Sequence, residues 1–110
     1  MTQDGHDKIL VIGNRPDIII ADSPEGWSVL FSKDILKDKK IFRGPIRLLL
    51  YAMSLAYHDT FEVVISPDRA IKDLGITRNT FYRWLKVLMS KGLLTRLANN
   101  VYRLNLVEDT

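Results

Sequence analysis

At 110 residues and 46% apolar content, the chain has room for one domain with a modest buried core. It has no cysteine, which excludes a disulfide framework, a thiolate zinc site and a cysteine nucleophile; with no signal-like start, this suits a cytoplasmic location. The formal charge is only +3, and the apolar run 46–56, broken by Arg47 and Ser54, is too short for a membrane span.

Residues 1–7 are polar and expected to fray. Lys8-Ile9-Leu10-Val11-Ile12 reads as a strand, residues 13–17 as a turn, and Ile18-Ile19-Ile20 as a second strand. Residues 22–26 form another turn before a third strand at Trp27-Ser28-Val29-Leu30-Phe31. Three short strands predict a meander that covers a helical core or offers its edge to a second copy. Gly13 is not followed by a phosphate-loop or dinucleotide-binding pattern.

Residues 33–40 read as a short helix or turn in which Lys37, Lys39 and Lys40 supplement phosphate binding or form a solvated face. Gly44-Pro45 opens a helix over residues 46–58. Its apolar residues Ile46, Leu49, Leu50, Met53, Leu55, Ala56 and Tyr57 cover enough of the circumference to make it the central core helix. Arg47 and His58 are its polar exceptions, and His58 reads as a cap or surface residue near a helix C-terminus. Residues 61–65 form a short strand.

The strongest local signal follows. Ser66 as N-cap and Pro67 at the first helical position open a short helix that Gly75 can end in the left-handed conformation. Thr77 caps a second helix running to Lys91, where Gly92 stops it. Two short helices joined by a tight glycine-containing turn make a helix-turn-helix. On the second helix, Phe81, Leu85, Leu88 and Met89 recur at helical spacing as a buried stripe. Arg78, Asn79, Tyr82, Arg83 and Lys86 fall mainly on the other side, and residues 78–91 contain no acid. Arginine can read guanine edges and asparagine adenine edges, while lysine and tyrosine can hold phosphates. Tyr82 is the better aromatic for a phosphate bond. Trp84 lies about 200° away around the helix and is expected to pack against the following hairpin or a partner subunit.

Residues 93–97 and 101–107 alternate as strands, with Ala98-Asn99-Asn100 suited to the tight turn between them. A two-stranded ribbon directly after such a helix is a wing, placing Arg96, Arg103 and the tip near backbone or minor groove. The order of elements therefore predicts an α+β fold, a winged helix-turn-helix with an N-terminal β-strand extension. Residues 1–30 are the extension, packing on the rest or dimerising it, and residues 31–110 the DNA-binding domain.

The run Asp73-Leu74-Gly75-Ile76-Thr77-Arg78-Asn79-Thr80, then Leu85-Lys86, Lys91-Gly92-Leu93-Leu94 and Val101-Tyr102-Arg103-Leu104-Asn105, resembles winged-helix DNA-binding domains. More narrowly it is similar to RepL-type replication initiators of firmicute plasmids and related phage and plasmid regulators, over residues 31–106. This chain has Leu106 where that family usually has proline, and no glycine at the wing tip. The resemblance implies sequence-specific duplex DNA binding, with Arg78, Asn79, Tyr82 and Arg83 facing bases or phosphates.

Charge distribution agrees with that reading. Residues 66–103 hold eight basic and two acidic residues, a net +6, so the remainder sums to −3. The two histidines, His6 and His58, have no metalloprotease or triad context, and acids such as Asp22 and Asp59 scatter. The chain reads as a non-enzyme with no cofactor, metal or small-molecule substrate. The expected function is duplex DNA binding with the recognition helix 78–91 in the major groove and the wing 93–107 on backbone or minor groove, as a transcriptional regulator or a plasmid or phage replication-initiation factor. The expected contacts are Thr77, Arg78, Asn79, Thr80, Tyr82, Arg83, Lys86, Arg96, Asn99, Asn100 and Arg103. A homodimer through the N-terminal strands would set half-site spacing. Two alternatives are a protein-interaction module and a replication accessory factor binding a protein partner or single-stranded DNA.

Overall fold

The computed structural model describes residues 8–13, 15–23, 25–31, 37–57 and 59–108. The readings of residues 1–7, residues 33–36 and His58 lie outside them. Among the described residues the fold is α+β. In chain order it comprises β1 (Lys8–Ile12), β2 (Arg15–Ser23), β3 (Gly26–Phe31), α1 (Lys39–Phe42), α2 (Pro45–Leu55), β4 (Glu62–Val64), α3 (Pro67–Leu74), α4 (Arg78–Ser90), β5 (Leu94–Ala98), β6 (Val101–Leu104) and β7 (Leu106–Glu108).

The strands form two antiparallel sheets, one ordered β3-β2-β1-β7 and the other β4-β6-β5. The first contains the predicted meander, but its turn is tighter than residues 13–17. Gly13 adopts φ +58°, a conformation open to glycine at little cost, so Arg15 already pairs with Ile12. The register then jumps to Val11↔Ile19. Pro16 falls in this irregularity, where a residue without an N–H belongs.

The fourth strand of that sheet was not expected. Residues 101–107 alternate as one strand, yet the chain breaks at Asn105. Residues before it pair with β4 and β5, and Leu106 and Val107 pair with Ile12 and Val11 of β1. The C-terminal strand thus closes onto the N-terminal sheet, and a single buried cluster joins the two regions. It includes Leu10, Ile12, Ile18 and Ile20 from β1 and β2, Leu48, Leu49 and Ala52 from α2, and Phe81, Leu85 and Leu88 from α4.

Helix α2 ends three residues short of the expected His58. Ala56 is already extended (φ −74°, ψ 148°). The Tyr57 N–H donates to the Glu62 carbonyl at 2.9 Å, and the Phe61 N–H to the Tyr57 carbonyl at 2.7 Å. This closed loop, with Phe61 at φ +60°, turns the chain into β4. Leu50, Leu55 and Tyr57 are solvent-exposed rather than core, so the helix buries one broad face and not its whole circumference. Among the described residues, no helix is long and apolar enough to cross a membrane.

Candidate nucleic-acid interface

The turn between α3 and α4 is built from local side-chain chemistry. Ser66 Oγ accepts the Arg69 N–H at 3.4 Å, satisfying one of the donors that a helix start leaves unpaired. Gly75 takes the left-handed conformation (φ 65°, ψ 42°), and its N–H reaches back to the Ile71 carbonyl. The Ile76 N–H donates to the same carbonyl at 3.1 Å, and Ile76 packs against the core. Thr77 Oγ1 then accepts the Thr80 N–H at 3.2 Å to start α4.

Helix α4 divides cleanly. Phe81, Leu85 and Leu88 are buried, with Trp84, Val87 and Met89 partly buried against the core. Arg78, Asn79, Tyr82, Arg83 and Lys86 share the solvent face. No acid occupies the first turn, so the partial positive charge of the helix N-terminus is not offset there. Thr77 and Thr80 bond to each other at the cap: Thr77 Oγ1 donates to Thr80 Oγ1 at 3.0 Å, and Arg83 reaches the same Thr80 oxygen at 3.5 Å.

Ion pairing sorts the eight basic residues of the segment 66–103. Arg78 pairs with Asp68 at the start of α3. This hydrogen bond, helped by the charge of Asp68 and more weakly by Tyr82, raises the guanidinium above its ordinary pKa. Arg69 pairs with Asp73 at 3.6 Å, and Tyr51 donates its hydroxyl to the same carboxylate at 2.8 Å. Lys91 pairs with Asp38 at 3.4 Å. Lys72, Arg83, Lys86, Arg96 and Arg103 make no ion pair among the described residues.

The β5–β6 hairpin presents its residues on two faces. Arg96 is opposite Tyr102, whose phenol is pushed up by burial, lowered by the nearby Arg96 charge and raised slightly by Tyr82 of α4. Arg96 therefore lies on the α4 side. Its guanidinium folds back on the tip, donating to the Ala98 carbonyl at 3.4 Å and to Asn99 Oδ1 at 3.2 Å. Asn100 makes the turn at φ 64°, and its carbonyl accepts the Ile65 N–H at 2.8 Å. Arg103 stands in the opposite row with Glu62 and Thr95, while its neighbours Tyr102 and Leu104 are buried. The structure thus gathers Arg78, Asn79, Tyr82, Arg83, Lys86 and Arg96 on one side and places Arg103 on the other.

Two positioning residues were not anticipated. The Trp84 ring covers Gly44, and Arg47 lies over it at 5.6 Å from the centroid. Arg47 also donates to the Leu74 carbonyl at 2.8 Å, tying the end of α3 to α2 and α4. The signal was its position as a lone charge in the apolar run 46–56. Comparison with family models, curated proteins and solved structures returns no match.

Proposed function

We propose that the chain is a winged helix-turn-helix protein that binds double-stranded DNA in a sequence-specific manner, with α4 in the major groove and the β5–β6 hairpin as the wing. The observation that carries this reading is the solvent face of α4. Arg78, Asn79, Tyr82, Arg83 and Lys86 lie together on a helix with no acid from residue 78 to 91 and with an N-terminus whose dipole is unopposed by an acid in the first turn. Arg83 and Asn79 have the donor geometry for purine edges, and Lys86, Lys72 and Arg96 supply phosphate contacts. The resemblance to plasmid and phage initiators and regulators puts the biological role in replication initiation or transcriptional control.

Fluorescence anisotropy with a random duplex and its single strand, across a salt series, tests this reading. Three phosphate contacts, from Lys72, Lys86 and Arg96, predict a slope of log affinity on log salt of about −2.7 for the duplex. Alanine at Arg83 should then cost about 1–3 kcal/mol on a selected site with the fold intact. Absence of binding to either DNA at low salt would sink the proposal and turn the basic face into a protein-docking or solvated surface.

A further inference from the structure

The four-stranded sheet carries large apolar side chains on both faces. Leu10, Ile12, Ile18 and Ile20 point into the core, so their neighbours along each strand point out. An antiparallel sheet with one solvated face normally alternates apolar-in and polar-out. Here the outward row reads Val107↔Val11↔Ile19↔Leu30, one residue from each strand in register. The next row reads Ile9↔Ala21↔Ser28. Among the described side chains of this face, none is charged. Leu30 is 59% exposed, Val107 57% and Ile9 40%, which makes a contiguous apolar patch of the kind that marks an interaction site.

We infer that this face is covered by a second copy of the chain, stacked sheet on sheet about a twofold axis parallel to the strands and running between β1 and β2. The described side chains of this face carry no charge, so they offer nothing to recognise an acidic or basic partner. The rows are also self-complementary under that axis. The operation places β1 over β2 of the partner subunit and β7 over its β3. Val11 then meets Ile19 of the partner subunit, Val107 meets Leu30 of the partner subunit, and Ile9 meets Ala21 of the partner subunit. In each pair a smaller side chain faces a larger one, the pattern by which layers interdigitate, at the near-parallel strand angle usual for stacked sheets. Four strands at ~4.8 Å spacing and five residues at ~3.3 Å rise give a footprint of about 300 Å² per copy. Stable complexes bury about 800 Å² per partner. The face therefore forms a weak dimer, assembled at high concentration or where two copies are held close together.

The test needs no DNA, so its outcome is independent of the nucleic-acid reading. Sedimentation equilibrium of the full chain from about 20 µM to 1 mM should show a monomer–dimer equilibrium whose dimer fraction rises with concentration. Val11→Lys and Ile19→Glu should each weaken it at least about tenfold, because each buries an unpaired charge in the homodimer. Mixed one to one, the two variants should recover a heterodimer, since the new lysine and glutamate then face each other across the axis. If either central variant loses its circular dichroism spectrum or cooperative melt, Leu30→Lys at the exposed edge strand takes its place and should also weaken the dimer. A chain monomeric throughout the range overturns the inference, and so does a dimer unchanged by the folded variants. Failure of the mixture to recover dimer overturns the proposed stacking.

Discussion

The side-chain amide of Asn105 donates to the Gly92 carbonyl at 2.9 Å, just where the chain crosses from one sheet to the other. The Asn105 backbone N–H donates to the Leu93 carbonyl at 3.1 Å, and its own carbonyl accepts the Gly13 N–H at 2.7 Å. Its Oδ1 accepts the Thr95 hydroxyl at 3.0 Å. One residue thereby joins the β1–β2 turn, the exit from α4 and strand β5. Only the side-chain half of this junction is lost in Asn105→Ala, leaving Gly92 and Thr95 without those partners. The expected cost is about 1–2 kcal/mol. A thermal melt should show it as a fall of roughly 4–12 °C in Tm. An unchanged Tm would mean that water replaces both bonds and that the backbone bonds alone hold the crossing.

Gly44 and Trp84 form a second junction. A Cβ at Gly44 would lie 2.6 Å from three atoms of the indole ring, far inside van der Waals contact. The penalty expected of Gly44→Ala is the overlap of that Cβ with the ring. Overpacking of this kind costs about 1–3 kcal/mol. The double-mutant cycle with Trp84→Leu separates the cause: with the ring gone, Gly44→Ala should cost less than about 0.5 kcal/mol. Equal costs in both backgrounds would assign the loss to the start of α2 and not to the ring.

These two junctions mark where the sequence stops being readable. The α3–turn–α4 unit was legible because its punctuation acts within a few residues: Ser66 and Thr77 bond to backbone N–H groups three positions on, and Gly75 ends its own helix. The division of α4 into buried and solvent faces follows from helical period alone. By contrast, residues 101–107 alternate without interruption, and only pairing of Leu106 and Val107 with β1 decides where one strand ends and the next begins. The partner of Trp84 is 40 positions earlier in the chain, at Gly44. Within the candidate site, exposure could be read from spacing but ion pairing could not. Counting Asp68 as one acid among eight bases hides that it bonds Arg78.

That pair leads to a prediction with an unusual sign. Asp68 occupies the Arg78 guanidinium, and both side chains are largely exposed. Asp68→Asn removes the competing carboxylate and one negative charge near the proposed phosphate path. An exposed ion pair is weak and screened by salt, so duplex affinity should rise at low salt and the gain should shrink as salt is added. Anisotropy with parent and variant on the same duplex checks it. Weaker binding by the variant would mean that Asp68 orients Arg78 for DNA instead of competing with it.

The two arginines of the β5–β6 hairpin should behave differently although their residue type and sequence context are alike. Arg96 lies across from Tyr102 on the side shared with Tyr82 of α4, so a duplex seated on α4 passes within its reach. Arg103 stands in the opposite row between Thr95 and the carboxylate-bearing Glu62, facing away from α4. Arg96→Ala should therefore reduce the salt slope of duplex binding by about 0.9, the loss of one phosphate contact, whereas Arg103→Ala should leave it unchanged. Both substitutions sit at exposed positions and should preserve the thermal midpoint to within about 0.5 kcal/mol of stability. Equal loss of slope in the two variants would require the DNA to wrap both faces of the hairpin. Loss with Arg103→Ala alone would place the duplex against the outer face of the β4-β6-β5 sheet and away from the basic side of α4.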